Sequence, residues 1–152
     1  MKVVLDIETD GFNPSKIHCI VAKNIDTNTV TFWDSGNMYG FKNWAKGVDT
    51  FIMHNGLSFD APVLNKLLDA EILPGNIVDT LILSQLFNPI REKGHSLKAW
   101  GEKLNMLKGG EGVNFSKYNQ AMLDYCKQDV EITHAVYKEL LKESKGFSKE
   151  SI

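Results

Sequence analysis

The sequence predicts one α/β domain in which a mixed β-sheet carries helices on its faces. The predicted elements run in the order βββαβαβα with further helices behind them, and no segment repeats. No shift of composition divides the 152 residues, a length that suffices for a single domain with a full hydrophobic core. Elements in this order pack as a mixed sheet between helical layers.

Three predicted strands open the chain. Residues 2–8 are β-rich and mostly apolar, as in a central strand, and residues 17–25 form a second apolar segment. Residues 26–29 are turn formers, and 30–33 return as the third strand. Because short turns join these strands, we expect the sheet to begin with antiparallel pairs.

Helical periodicity and capping residues define the remaining elements. Asp79 and Ser96 stand where helix N-caps are expected, and either Ser116 or Asn119 opens a long final helix. These elements are a weak helix at 38–46, a strand at 50–54, a helix at 61–70, a strand at 77–78, helices at 80–87 and 97–104, a Gly-rich flexible stretch at 108–114, the long final helix, and a polar tail at 142–152 that we expect to fray.

Composition limits the classes of function. Hydrophobic residues make up 43% and charged residues 24%, which is ordinary for a globular domain. No apolar segment is long enough to span a membrane, and the first residues lack the features of a signal peptide, so we expect a cytoplasmic protein. Cys19 and Cys126 are far apart in sequence and fit two buried thiols in a reducing compartment.

The charge pattern bears on nucleic-acid binding. The net charge is −2, and Arg91 is the single arginine among 17 basic residues. Readout of bases by arginine–guanine pairs is therefore improbable, and a bound strand would be held by its backbone and its end. The lysines at 93, 98, 103 and 108 form a solvated face or flank a single-strand groove.

Two acids interrupt the first apolar strand. Asp6 and Glu8 are two residues apart, so their side chains leave the same face of the strand. Two like charges there are costly unless cations neutralise them. The alternative is an exposed edge strand with two solvated acids, which the apolar residues around them argue against.

Two further patches have ordinary structural explanations when taken alone. Asp60 stands at the start of a predicted helix and could be its N-cap. Tyr125 and Asp129 are spaced i and i+4 on the final helix and could be a packed, hydrogen-bonded pair. Together with Asp6 and Glu8, however, they suggest a site for two divalent cations of the kind that phosphodiester hydrolysis uses.

Three motifs carry a family resemblance. DIET at 6–9, HNGLSFD at 54–60 and YxxxD at 125–129 resemble the motifs of the Tyr-bearing DEDD 3′–5′ exonucleases. Longer segments, such as VDTLILSQL and SLKAWGEKLNMLKG, resemble the proofreading exonuclease domains of family A DNA polymerases of the bacteriophage T7 type. The resemblance runs from residue 2 to about 141 and implies an RNase H-like, DnaQ-like exonuclease fold.

The resemblance also implies roles for the acids. Asp6, Glu8, Asp60 and Asp129 would hold two Mg²⁺ ions, with Mn²⁺ able to substitute, and Asp6 would bridge them. Tyr125 would align the attacking water. The histidine subclass carries its histidine at the position that Asp124 occupies here, so the tyrosine assignment follows.

Other residues would contact the substrate or support the site. Phe12 resembles an apolar residue that stacks on or wedges between the terminal bases; alternatively it folds onto the core. Asn55 and Thr9 resemble residues near the terminal nucleotide. Asp79 resembles a recurrent acid of the family, and we interpret it as a cap and support rather than a ligand.

The implied activity is metal-dependent removal of nucleoside 5′-monophosphates from the 3′ end of single-stranded or frayed DNA. Alternatives are a short-RNA exonuclease and a non-catalytic module that binds 3′ ends beside a polymerase. Residue 152 ends the sequence where the resembling polymerases continue. We therefore expect a free-standing enzyme or the proofreading part of a split polymerase, with a DNA polymerase subunit as a partner. The sequence leaves the oligomeric state open.

Overall fold

A five-stranded mixed sheet forms the centre of the molecule. The structure, a computed structural model, describes residues 1–107, 109 and 113–150, with side chains as far as residue 145. The strands are arranged in the order β3-β2-β1-β4-β5. Their bounds are Lys2–Thr9 for β1, Ile17–Asn24 for β2, Thr29–Trp33 for β3, Thr50–Met53 for β4 and Ile77–Asp79 for β5.

The pairing of the strands makes the sheet mixed, as predicted. β1 pairs antiparallel with β2, and β2 pairs antiparallel with β3. β1 also pairs parallel with β4, which in turn pairs parallel with β5. The β1–β2 register shifts between Glu8 and Thr9, because Glu8 lies opposite Cys19 and Thr9 opposite Ile17. Such a bulge bends the strand locally at the end that carries Glu8.

Five α-helices and three short helical turns complete the described chain. The helices are α1 (Phe41–Ala45), α2 (Ala61–Leu68), α3 (Thr80–Phe87), α4 (Leu97–Lys103) and α5 (Gln120–Glu150). Met38–Gly40 and Pro74–Asn76 are 3₁₀ turns, and Gly56–Asp60 is a π-helical turn that runs directly into α2. No helix in the described ranges combines the length and the hydropathy that a membrane span requires.

The two faces of β1 have different partners. Val3, Leu5 and Ile7 belong to a core cluster that α1 and α2 cover. Val4, on the opposite face, packs in a second cluster with Cys126 and Val130 of α5. Because side chains alternate along a strand, Asp6 and Glu8 continue the face of Val4. Both acids therefore lie on the α5 side of the sheet.

A third cluster joins α4 to α5. It contains Leu97 and Trp100 of α4 with Ile132, Val136 and Leu140 of α5. Gly101 lies where the segment after α4 passes close to the helix, since an added Cβ would stand 2.4 Å from the Met106 carbonyl oxygen. This cluster fixes the half of α5 that follows Asp129.

Several predicted caps and boundaries can be compared with the structure. Asp79 and Ser96 are N-caps as predicted, accepting from Leu81 and Ile82 N–H and from Ala99 N–H, respectively. Of the two candidates for the start of α5, Asn119 is the cap, because its Oδ1 accepts a hydrogen bond from Met122 N.

Two helix ends differ from the prediction. α2 ends at Leu68 rather than at residue 70, because Asp69 adopts a left-handed conformation with φ of 53°. α5 continues to Glu150, past residue 142, where we expected fraying to begin. Of the predicted Gly-rich stretch, residues 108 and 110–112 lie outside the described residues, as do 151 and 152.

Candidate active site

Asp6 and Glu8 lie on a central strand, so the edge-strand alternative is wrong. β1 has a neighbour on each side, and Asp6 and Glu8 lie near its carboxyl end. The Cys126 thiol of α5 donates to Asp6, with Sγ 3.4 Å from Oδ2 and 3.5 Å from the main-chain oxygen. One ligand atom each from Asp6, Glu8 and Cys126 lie within 4.8 Å of one another.

Asp60 reaches the same region from the π-helical turn. Its backbone is helical, and its side chain makes no cap hydrogen bond to α2, so the N-cap alternative is wrong. The residue is 5% exposed, and Oδ2 has no hydrogen-bond partner among the described residues. A buried carboxylate oxygen without a donor is costly unless a cation or another ligand meets it.

Close packing of glycine against β4 shapes the π-helical turn. A Cβ at Gly56 would lie 2.3 Å from both Cβ and Sδ of Met53. Asn55, just before it, has a left-handed backbone with φ of 68°, a conformation that asparagine tolerates better than most residues. The sequence His54-Asn55-Gly56 therefore permits a sharp change of direction between β4 and Asp60.

Asp79 supports this turn as well as capping α3. Its Oδ1 accepts from Asn55 N at 2.9 Å, and its Oδ2 accepts from Leu57 N at 3.1 Å. The same carboxylate accepts from Leu81 N at 3.0 Å in the first turn of α3. It thereby ties the segment that carries Asp60 to the end of β5, the support role that we expected.

His54 and His95 extend the polar framework away from the acids. His54 Nε2 lies 2.9 Å from the His95 main-chain oxygen, and Nδ1 lies 2.8 Å from Thr80 Oγ1. His95 Nδ1 lies 2.7 Å from Ser84 Oγ, and its Nε2 lies 3.1 Å from the Pro89 carbonyl oxygen. Both rings are thus held by neighbouring loops and helices.

α5 contributes Tyr125 and Asp129 on one face. Asp129 is buried, whereas Tyr125 is partly exposed and its ring meets Phe115 edge-on at 5.5 Å between centroids. The i and i+4 spacing brings the two α5 side chains to the end of β1 that bears Asp6 and Glu8. The edge-on contact with Phe115 restrains the ring of Tyr125.

The pKa values of the buried acids show that the carboxylates are close neighbours. Burial raises the pKa of Asp6 well above its usual value, and the charges of Asp129, Asp60 and Glu8 raise it further. Burial also raises the pKa of Asp60 well above its usual value, with added repulsion from Glu8, Asp79 and Asp129. Four acids from three distant parts of the sequence therefore share one electrostatic environment.

An open cavity of about 530 Å³ adjoins these acids. Phe12 projects fully into solvent beside it, so the alternative in which Phe12 folds onto the core is wrong. The Thr9 hydroxyl donates to the Gly11 carbonyl at 2.9 Å, and Asn55 is exposed and is not part of the cavity lining. The lining residues are Glu8, Thr9, Asp10, Gly11, Phe12, Phe59, Phe115, Tyr125 and Asp129.

The donor set fits hard divalent cations. Asp6, Glu8, Asp60 and Asp129 offer carboxylate oxygens, the ligands that Mg²⁺ and Mn²⁺ prefer. The orphaned Asp60 Oδ2 and the mutual repulsion of the four acids are both relieved by cations. Burial raises the pKa of the Cys126 thiol well above its usual value, which keeps it protonated and a poor ligand for such ions.

Sequence reasoning missed several residues of this region, among them four whose side chains contact Asp6 or lie in the cavity lining. Cys126 contacts Asp6, while Asp10, Phe59 and Phe115 line the cavity. Two of them carried a local signal, since Phe59 precedes Asp60 directly and Cys126 lies three residues before Asp129 on the same helix face. Phe115 and Asp10 carried none, because their positions depend on how the loops fold.

Comparison with known proteins is consistent with this geometry. Residues 2–145 match a family model described as 3′–5′ exonuclease. The chain is 28% identical to the DNA-directed DNA polymerase of Escherichia phage T7 and 31% identical to that of Enterobacteria phage T3, in each case over 97% of its own length. It spans 28% of the length of each of these relatives.

A solved structure shares the fold. The family B DNA polymerase of the archaeon Pyrobaculum calidifontis matches 91% of this chain with a TM-score of 0.67, at 17% identity and over 24% of its own chain. At this level of identity the match is evidence of a shared fold alone. The fold is the RNase H-like arrangement that the motifs implied.

Proposed function

Because the chain belongs to the 3′–5′ exonuclease family, of the kind present in the phage T7 and T3 DNA polymerases, we propose that it shortens single-stranded or frayed DNA from the 3′ end. The products would be nucleoside 5′-monophosphates. The observation that carries this proposal is the convergence of Asp6, Glu8, Asp60 and Asp129 beside an open cavity.

The four carboxylates have the ligand chemistry for two divalent cations, and the charges of Asp129, Asp60 and Glu8 all raise the pKa of Asp6. That central position suits a carboxylate that bridges two ions. When bound, such ions lower the pKa of the attacking water and stabilise the leaving 3′ oxygen. The protein's own contribution is to hold the phosphodiester and the water in line.

Tyr125 has the position to orient the water. Its ring meets Phe115 edge-on, and Tyr125 lines the same cavity as Glu8 and Asp129. A hydroxyl there can accept a hydrogen bond from the water and fix its direction of approach. The water oxygen bonds to phosphorus, the bond from phosphorus to the 3′ oxygen breaks, and the proton released from the water balances the one that the 3′ oxygen takes up.

Phe12 and the strand end would meet at the mouth of the cavity. A fully exposed aromatic ring stacks on bases of any sequence, which suits an enzyme that must accept every 3′ end. Thr9 and Asn55 remain candidates for contacts with the terminal nucleotide, Thr9 from the cavity wall and Asn55 from the exposed turn. Because the relatives are whole polymerases, association with a DNA polymerase is part of the proposal.

The experiment is a time course on DNA labelled at its 5′ end. The purified chain is incubated with single-stranded DNA in Mg²⁺, in Mn²⁺ and in EDTA, with an RNA strand of the same sequence in parallel. A ladder that shortens from the 3′ end only with metal supports the proposal. Faster cleavage of RNA would favour the RNA exonuclease instead, and tight binding without product in any lane would favour a 3′-end-binding module.

A further inference from the structure

A second cavity lies away from the acidic site, between α4 and the loop that precedes it. Its volume is about 320 Å³. Its lining includes Ile90, Arg91, Glu92, Lys93, Trp100 and Lys103. Three cations and one carboxylate therefore face this space, in a chain whose net charge is −2.

Arg91 is a fixed wall of the cavity. Its guanidinium donates two 2.9 Å hydrogen bonds to the Glu143 carboxylate, and its Nε donates to the Ser84 carbonyl oxygen at 3.1 Å. The side chain is 6% exposed and lies over the Trp100 ring, 4.6 Å from the centroid. Arg91 is thus satisfied by the protein and sets the shape of the cavity.

The two lysines of the cavity have fewer interactions with the protein than Arg91 has. Lys103 Nζ lies 4.8 Å from the Trp100 centroid, and its charge helps to lower the pKa of Glu143, but no carboxylate in the described part of the chain lies within ion-pair distance of it. Lys93 pairs with Glu102 at 3.4 Å, but its side chain is 57% exposed, so this ion pair contributes little. Positive charges held around one cavity repel each other, and an anion between them removes that cost.

α5 relates this cavity to the acidic site. Glu143, which holds Arg91, lies 14 residues after Asp129 on the same helix, or about 21 Å along its axis. Fourteen residues make just under four turns, so the two side chains leave α5 in nearly the same direction. Because α4 covers this face of α5, a strand must run over its surface, and at about 3.4 Å per stacked nucleotide it needs at least about six nucleotides.

We propose that this cavity binds a phosphate of the DNA strand whose 3′ end occupies the acidic site. Lys93 and Lys103 would contact the phosphate, and the exposed Ile90 on the rim would meet the neighbouring sugar or base. This inference rests on the proposed function for the direction of the strand. It predicts that strands longer than about six nucleotides bind more tightly than short ones.

The test compares two strand lengths. Binding of 5′-labelled DNA of 12 and of 3 nucleotides is measured by fluorescence anisotropy with Ca²⁺ over a series of salt concentrations. The double variant Lys93→Gln/Lys103→Gln is compared with Lys98→Gln, which removes an exposed charge of the same helix that does not line the cavity. Thermal unfolding checks that each variant is folded.

We expect the double variant to weaken binding of the 12-nucleotide strand about tenfold and to reduce its salt slope by about 0.7, the value for one lost phosphate contact on a single strand. The 3-nucleotide strand should bind as before. Equal losses for both lengths, or an equal loss in Lys98→Gln, would overturn the inference. A double variant that binds inorganic phosphate more weakly, as measured by ³¹P line broadening, but binds the 12-nucleotide strand as before would also overturn the inference.

Hydrolysis of thymidine 5′-p-nitrophenyl phosphate by the unmodified chain separates this inference from the proposed function. This diester is too short to reach the second cavity. If the chain binds the long strand through the two lysines but hydrolyses neither the ester nor DNA, the result would contradict the proposed function and leave this inference standing. If the chain hydrolyses both, but the two lysines do not make the longer strand bind more tightly, the result would contradict this inference alone.

Discussion

The thiol of Cys126 donates a hydrogen bond to the carboxylate of Asp6, at 3.4 Å from Sγ to Oδ2. A residue of the last helix thus touches the acid at the centre of the carboxylate cluster. The hydrogen bond lowers the pKa of Asp6 against the larger effects of burial and repulsion, and so favours the ionised form that binds a cation.

Replacing Cys126 should therefore change the affinity for metal more than the chemistry. For Cys126→Ala we expect the Mg²⁺ concentration at half-maximal cleavage to rise on the order of tenfold, with little change of the rate at saturating Mg²⁺. Titration of cleavage with Mg²⁺ measures both quantities. Cys126→Ser is the matched control, since it keeps a hydrogen-bond donor beside Asp6. An equal shift in both variants would assign the effect to packing.

Asp129→Asn should abolish cleavage while preserving the fold. The amide replaces a carboxylate that lies with three others, so we expect the rate to fall on the order of 10³-fold or more at saturating Mn²⁺. Asp124→Asn, an exposed acid of the same helix, is the control and should cleave normally. Comparable rates for Asp129→Asn and the unmodified chain would remove Asp129 from the metal site.

Asp60 should make the metal-free protein less stable as the pH rises. Its pKa is raised on folding, so the native state holds more protons than the unfolded chain between the ordinary carboxyl value and the raised one. Stability falls as the pH rises through that window and stays low above it. In EDTA, Asp60→Asn should unfold at a higher temperature than the unmodified chain at pH 8, and this advantage should vanish toward pH 4. A constant advantage at every pH would contradict the assignment.

Phe12→Ala should affect substrate binding without affecting stability. The ring is fully exposed, so its removal leaves the melting temperature unchanged, while the lost stacking raises KM about fivefold or more. Steady-state kinetics on single-stranded DNA separates KM from kcat. The control is Tyr39→Ala, an exposed aromatic away from the cavity lining. A fall of kcat at constant KM would instead place Phe12 among the residues that align the reacting groups.

Gly56→Ala should disturb the turn that carries Asp60. The added Cβ overlaps Met53 at 2.3 Å, so the turn must shift, and we expect a loss of about 1–3 kcal/mol in the free energy of unfolding together with reduced cleavage. Urea unfolding and the cleavage assay measure the two effects. At Gly40 a Cβ meets no atom within 4 Å, so Gly40→Ala should be nearly neutral. Equal behaviour of the two variants would show that the turn tolerates a side chain.

Local chemistry explains what the sequence predicted well. The apolar residues Val3, Val4 and Leu5 indicated a central strand, because a strand that is buried on both faces is apolar throughout, whereas an exposed edge strand is more polar. Asp79 and Ser96 were recognisable as caps, since a short acceptor side chain just before a helix bonds the free N–H groups of the first turn.

Distant contacts explain what the sequence did not predict. The π-helical turn at Gly56–Asp60 depends on packing against Met53, and no local pattern encodes it. The contact from Cys126 to Asp6 depends on how α5 crosses the sheet. The polar end of α5 stays helical because extending an existing helix costs little, whereas composition alone suggested fraying.

The hydrogen bond from Cys126 to Asp6 joins residues 120 positions apart in the sequence. During synthesis, β1 is complete long before α5 exists, so a partly made chain carries Asp6 and Glu8 without Asp129 or Tyr125. The carboxylate cluster can assemble only when the last helix docks on the first strand. Nuclease activity would then appear only after the chain is complete and folded, so an unfinished chain would not cleave the nucleic acids around it.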